Sequence, residues 1–126
     1  MPRVGPLQIR ARLMCGEEFA IGPGKAALLE AIIREGSISA AGRALGMSYR
    51  RTWLLVDEMN RCWDQRLVET TPGGGQSRGA RLSAMGLRVL ADYRALEARL
   101  ADAAEAGLAS LCRGMRETPL PPARPG

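Results

Sequence analysis

A mainly α-helical fold with small β hairpins is what the sequence predicts, and three observations carry that prediction. Apolar residues recur at helical spacing in four separate runs. Glycines and capping residues punctuate those runs where helices would end and begin. Two short alternating segments flank a glycine-rich stretch between the third and fourth runs.

At 126 residues and 46% hydrophobic content, the chain is sized for one core. Residues 1–6, with two prolines and a glycine, are expected to form a flexible arm. Leu7, Ile9, Ala11 and Leu13 alternate with Gln8, Arg10 and Arg12, the period of a strand with one buried face. Gly16-Glu17-Glu18 then gives a turn and Phe19-Ala20-Ile21 a return strand, so a small hairpin is expected.

Gly22-Pro23 opens a first helix over about 23–35, with Leu28, Leu29, Ile32 and Ile33 as its buried stripe and Gly36 as its stop. Ser37 and Ser39 both offer capping oxygens for a second helix, whose buried face is expected at Ala40, Ala41, Ala44 and Leu45. Gly46 ends it, and Ser48 caps a third helix over about Tyr49 to Trp63. A short helix, a glycine-containing turn and a second helix form a helix-turn-helix pattern.

Placed 100° apart, Tyr49, Trp53, Val56, Met59, Asn60 and Trp63 share one face of that third helix, which is assigned to the core. Arg51, Leu54, Leu55 and Glu58 fall on the other. Leu67 to Thr70 and Ala80-Arg81-Leu82 are expected as two strands around a polar loop, Thr71 to Gly79, which makes a wing. Read instead as a phosphate-cradling catalytic loop, Gly73-Gly74-Gly75 lacks the Gly-Lys-Ser/Thr that would complete it.

Ser83 caps a final helix running to about Cys112, with Val89, Tyr93, Leu96, Leu100 and Ala103 alternating at steps of four and three. Such a helix is longer than a small core can cover, so these five residues are assigned to dimerisation; fraying after Gly107 is the alternative. The folded domain is thus expected over residues 7–112, a winged helix-turn-helix with a long C-terminal dimerisation helix. Residues 113–126, rich in proline, are expected as a disordered tail.

Several function classes are disfavoured. The chain has no histidine, which removes the commonest general base and nitrogen ligand. Cys15, Cys62 and Cys112 show no metal or redox spacing and are expected as reduced, mostly buried thiols. No catalytic residue, metal site or cofactor is assigned, and an enzyme is not expected. With no membrane-spanning run and no signal-peptide pattern, a cytoplasmic protein without a membrane partner is the expectation.

Charge points elsewhere. The formal net charge is +5, and Lys25 is the only lysine, so the basic side chains are arginines suited to phosphates and guanine edges. Residues 36–56 hold Arg43, Arg50 and Arg51 without an acid, and residues 70–91 hold Arg78, Arg81 and Arg88 without one. A helix-turn-helix lays its second helix in the major groove of duplex DNA, and here that helix opens Ser48-Tyr49-Arg50-Arg51-Thr52. These five are assigned to DNA binding with the wing arginines Arg78 and Arg81. Ser37 and Ser39 join them for a phosphate at a helix start, although capping explains the same serines equally well.

Gly36-Ser37-Ile38-Ser39-Ala40-Ala41, Leu45-Gly46-Met47-Ser48-Tyr49-Arg50, Trp53, Glu58-Met59-Asn60, Leu67-Val68-Glu69-Thr70 and the glycine cluster before Ala80-Arg81-Leu82 together resemble the DNA-binding domain of the ModE family of molybdate-responsive regulators. The resemblance covers about Leu7 to Ala109. It implies an amino-terminal dimer that recognises operator DNA, with DNA contacts at Ser48, Tyr49, Arg50 and the wing arginines. In that family a separate carboxy-terminal region of small β-barrels binds the oxyanion, and no such region is expected within these residues. Arg51, Thr52, Leu54 and Leu55 depart from the family pattern.

Two functions are therefore carried forward. One is a homodimeric transcriptional regulator that binds operator DNA and is linked to molybdate or related oxyanion use. The other is a protein-interaction module that partners a separate oxyanion-sensing protein, for which Leu54 and Leu55 on the outer helix face are the support.

Overall fold

The computed structural model describes residues 2–71 and 79–124. Within them the order is β1 (Arg3–Val4), β2 (Leu7–Gln8), β3 (Leu13–Cys15), β4 (Glu18–Ile21), α1 (Pro23–Glu35), α2 (Ile38–Ala44), α3 (Tyr49–Asn60), β5 (Val68–Thr70), β6 (Ala80–Leu82) and α4 (Ala84–Leu111). The strands form three separate antiparallel hairpins, β1–β2, β3–β4 and β5–β6. The expected mainly α architecture with small hairpins is what is found.

The amino-terminal segment differs in detail. Residues 3–4, expected in a loose arm, pair with Leu7 and Gln8. The single strand expected from Leu7 to Leu13 is divided between β2 and β3, and a register shift between Leu13 and Met14 interrupts the second hairpin. Two-residue turns after Val4 and Cys15, each with a glycine at positive φ (Gly5 and Gly16), fold this stretch back on itself twice.

α1 occupies the centre. Leu28, Leu29 and Ile32 are fully buried with Ile21, Val56, Met59, Leu67 and Val68. Ile33, expected in that stripe, faces outward at 53% exposure, because the apolar arc is filled by Ala26 and Ala31 beside the leucines. Gly36 ends the helix in the left-handed region (φ 78°), its N–H donating to the Ile32 carbonyl and its own carbonyl accepting from Ala80 N–H at 2.8 Å. The stop signal of α1 thereby anchors β6. Lys25 is buried as well, its ammonium between the Phe19 carbonyl and Glu58 Oε2, the latter at 2.7 Å.

α2 buries Ile38, Ala41 and Gly42 rather than Ala40, Ala44 and Leu45, of which Ala44 and Leu45 are exposed. The seven-residue helix meets its neighbours at its start and middle, so the last turn projects. α3 stops at Asn60, earlier than expected, since the Asn60 side chain turns to hold the next segment: Oδ1 accepts from Leu67 N–H (2.9 Å) and Val68 N–H (3.0 Å). In β5–β6, Val68, Ala80 and Leu82 point inward while Glu69 and Arg81 point outward. Thr71 N–H donates to the Gly79 carbonyl and closes the hairpin base. Residues 72–78 of the loop expected between them, Arg78 included, lie outside the described residues.

Ser83 accepts from Gly86 N–H at 3.0 Å and so caps α4. Gly86 lies so near β5 that a Cβ there would be 2.2 Å from the Leu67 carbonyl oxygen. Two of the residues assigned to dimerisation are used within the chain: Val89 and Tyr93 are each 5% exposed and belong to the core, and Tyr93 donates its hydroxyl to the Ala11 carbonyl at 2.7 Å. Leu96, Leu100 and Ala103 are exposed. The first half of α4 therefore closes the core and the second half projects past it.

The thiols are free, but not mostly buried: Cys15, at the end of β3, is exposed, and Cys62 and Cys112, at two helix ends, are half-buried. Residues 113–124 contain no helix or strand. No helix among the described residues is long and apolar enough to cross a membrane.

Candidate nucleic-acid interface

The turn between α2 and α3 is short and internally bonded. Leu45 N–H donates to Ala41 and Gly42 carbonyls, Met47 N–H returns to the Gly42 carbonyl at 2.8 Å, and Gly46 takes φ 70°. With the chain reversed so tightly, α3 starts against the middle of α2. Gly42 is the contact point: a Cβ there would be 2.2 Å from Thr52 Oγ1 and 3.0 Å from Thr52 Cβ.

That contact corrects the assignment of Thr52. It has no exposed surface, and its hydroxyl donates to the Ser48 carbonyl at 2.7 Å. A side chain packed between two helices with its donor already used cannot reach a duplex. Tyr49 moves the opposite way: expected in the core, it is 61% exposed and meets Trp53 edge-on with ring centroids 6.0 Å apart. The sequence period placed Tyr49 with Trp53 correctly, but the first turn of α3 extends beyond the core that Trp53 borders.

Ser48 caps α3, its Oγ accepting from Arg51 N–H at 3.1 Å. Arg50 and Arg51 follow, both exposed. The first turn carries no acidic residue, and among the described residues no carboxylate forms an ion pair with Arg43, Arg50 or Arg51. Two unneutralised guanidinium groups thus add to the positive potential of a helix start. Farther along, Arg61 is engaged with Asp57 at 2.9 Å and Glu18 at 3.2 Å, and Lys25 holds Glu58. The acids of this region are spent away from the α3 start.

Ser37 caps α2 by accepting from Ala40 N–H at 3.0 Å, which settles that one of the two serines has a capping role. Ser39 is half-buried in the first turn of α2. Arg81 projects from β6 at 80% side-chain exposure, 3.5 Å from Glu69 across the hairpin. Arg78 lies outside the described residues. The arrangement brings Ser48, Tyr49, Arg50 and Arg51 together on one exposed helix end.

Sequence reasoning passed over Gly42, and counted Arg43 in the acid-free basic stretch without assigning it to the site. A glycine inside a short helix signals a close approach, and an exposed arginine in the last turn of α2 extends the positive surface. Among the described residues, no group of three or more cysteine, aspartate or glutamate side chains is placed to hold a metal ion.

No protein-family model matches the chain. Individual proteins do. It is 39% identical over 83 residues to the molybdenum-pterin-binding protein MopA of Rhodobacter capsulatus, covering 66% of this chain and 31% of that protein. Against the molybdenum transport protein ModE of Azotobacter vinelandii it is 42% identical over 78 residues, 62% of this chain and 29% of that one. Against the DNA-binding transcriptional dual regulator ModE of Escherichia coli K12 it is 33% identical over 86 residues, 68% of this chain and 33% of that one. The chain spans about a third of the length of these relatives. Its homologues are thus the ModE and molybdenum-pterin-binding proteins, matched over about two thirds of its own length.

Proposed function

We propose that this chain is a winged helix-turn-helix transcriptional regulator of the ModE type, which binds operator DNA as a homodimer and is linked to molybdate or related oxyanion use. One observation carries the reading. The start of α3 presents Ser48, Tyr49, Arg50 and Arg51 to solvent with no acid in its first turn, while Thr52 and Val56 hold the helix to the core. A major groove admits one helix, and an arginine fork fits guanine O6 and N7. Arg43 and Arg81 contact flanking phosphates, and Ser37 and Ser39 bring the start of α2 to the backbone beside them. The name of the Escherichia coli relative, a DNA-binding transcriptional regulator, supports the same reading.

The dimer rests on the projecting half of α4. Leu96 and Leu100 are exposed large apolar side chains in line along it, and Ala103 continues the row. Leu96 also borders a cleft of about 290 Å³ lined by Leu13, Ile21, Trp63 and Val89. A second copy packed on this face removes that surface from water. Selection of bound duplexes from random sequence tests the function directly: an inverted repeat is expected, with affinity falling steeply as salt rises. Absence of any enriched sequence, with retention unchanged by salt, overturns it.

Leu54, 51% exposed on the outer face of α3, favours the second reading, a module that partners a separate oxyanion-sensing protein. Leu55 offers less, being half-buried against the core. Under that reading Leu54→Asp abolishes partner binding and Arg50→Ala leaves it intact.

A further inference from the structure

Cys15 and Cys62 lie 47 positions apart in sequence, yet meet where the β3–β4 hairpin touches the end of α3, with Cys15 Sγ 4.0 Å from the Cys62 carbonyl oxygen. The seam is held on its polar side by Arg61, whose guanidinium joins Glu18 of the hairpin at 3.2 Å to Asp57 of α3 at 2.9 Å. Both thiols are free; Cys15 is exposed at the surface and Cys62 half-buried behind it. The third cysteine, Cys112, stands at the C-cap of α4.

We propose that Cys15 and Cys62 form a redox modification site, at which a hydroperoxide converts the two thiols into a disulfide that staples the hairpin to the end of α3. The exposed Cys15 reacts first. Its thiolate attacks a peroxide oxygen, the O–O bond breaks, and Cys15 becomes a sulfenic acid while the departing oxygen takes a proton and leaves as alcohol or water. The Cys62 thiolate then attacks the Cys15 sulfur; the S–S bond forms, the S–O bond breaks, and the hydroxyl leaves as water after protonation. Two thiols and one hydroperoxide give one disulfide, one water and one alcohol, or two waters from hydrogen peroxide. Both electrons lost by sulfur are taken up by the peroxide, and a dithiol reverses the bond by exchange.

The surroundings give the two thiols unequal roles. Burial first, and then the neighbouring Cys15 thiol and the Glu18 carboxylate, push the Cys62 thiol above its ordinary pKa. Ring closure by Cys62 accordingly speeds up with rising pH.

The test treats the whole chain with hydrogen peroxide and maps it by mass after alkylation. Wild type and Cys112→Ser are expected to lose the mass of two hydrogens in a linked Cys15–Cys62 peptide, to regain it with dithiothreitol, and to melt about 5–10 °C higher when oxidised, because a long loop is closed. Cys15→Ser and Cys62→Ser are expected to form no bond within one chain. The proposal is overturned if peroxide links either residue to Cys112 or to a second molecule instead. It is equally overturned if wild type keeps both thiols open to alkylation after its methionines have been oxidised, a readout independent of how the serine variants fold.

Discussion

The Cβ that Gly42 lacks would lie 2.2 Å from Thr52 Oγ1, so α2 and α3 are packed to a distance that only a glycine permits. Gly42→Ala forces the helices apart or turns Thr52 out of its bond to the Ser48 carbonyl. A loss of about 1–3 kcal/mol is expected in denaturant midpoints. Combined with Thr52→Ala, the loss is expected to fall short of the sum of the two single changes, since the smaller side chain at 52 makes room for the methyl at 42, which fills the void left there.

Tyr93 links the first half of α4 to the amino-terminal segment through its bond to the Ala11 carbonyl. Tyr93→Phe leaves that acceptor unmet and is expected to cost about 1 kcal/mol. Burial, and after it the negative charge of Glu97, pushes the phenol up to about 12. The folded pKa is raised, so its contribution is fully present below about pH 10 and is lost as pH rises toward 12. Urea midpoints at pH 9 and 11 are expected to fall more for wild type than for Tyr93→Phe.

Arg94 joins α4 to α1 by a two-pronged bond to Glu30, Nη2 to Oε1 at 2.6 Å and Nε to Oε2 at 3.2 Å. The Arg94 hydrogen bonds hold the Glu30 carboxyl below its ordinary range. A depressed carboxylate stabilises the fold above its unfolded pKa, and that contribution is lost as pH falls through the folded one. Glu30→Gln is expected to lose less stability than wild type between about pH 5 and 3. Arg94→Leu is the more damaging change, because Glu97, 5% exposed and 2.6 Å from Arg94, is left buried without its cation; about 3 kcal/mol is expected from melting curves.

The projecting half of α4 gives a prediction on assembly. Leu96→Glu with Leu100→Glu is expected to turn the proposed dimer into a folded monomer in sedimentation equilibrium. Val89→Ala, inside the core, is expected to lower the melting temperature and leave the dimer in place.

Much of this was legible from the residues. Helix limits were carried by Gly36, Ser37, Ser48 and Ser83, because capping is a local matter of one side chain and one or two N–H groups. What spacing could not tell was how far the core extends along each helix. Tyr49 and Trp53 share a face, yet the core ends between them; Val89 and Leu96 share a stripe, yet only Val89 is covered within the chain. Thr52 shows the same limit in reverse, a polar residue drawn inward by the absent side chain of Gly42, whose partner is ten positions away on another helix.

The central claim is that the arginine-bearing start of α3 enters DNA, and duplex affinity as a function of salt for wild type, Arg50→Ala and Arg51→Ala tests it most directly. With the fold intact by circular dichroism, each substitution is expected to weaken binding about tenfold or more, and one that removes a phosphate contact to lower the slope of log affinity against log salt by about 1. Affinity and slope unchanged in both variants would contradict the account.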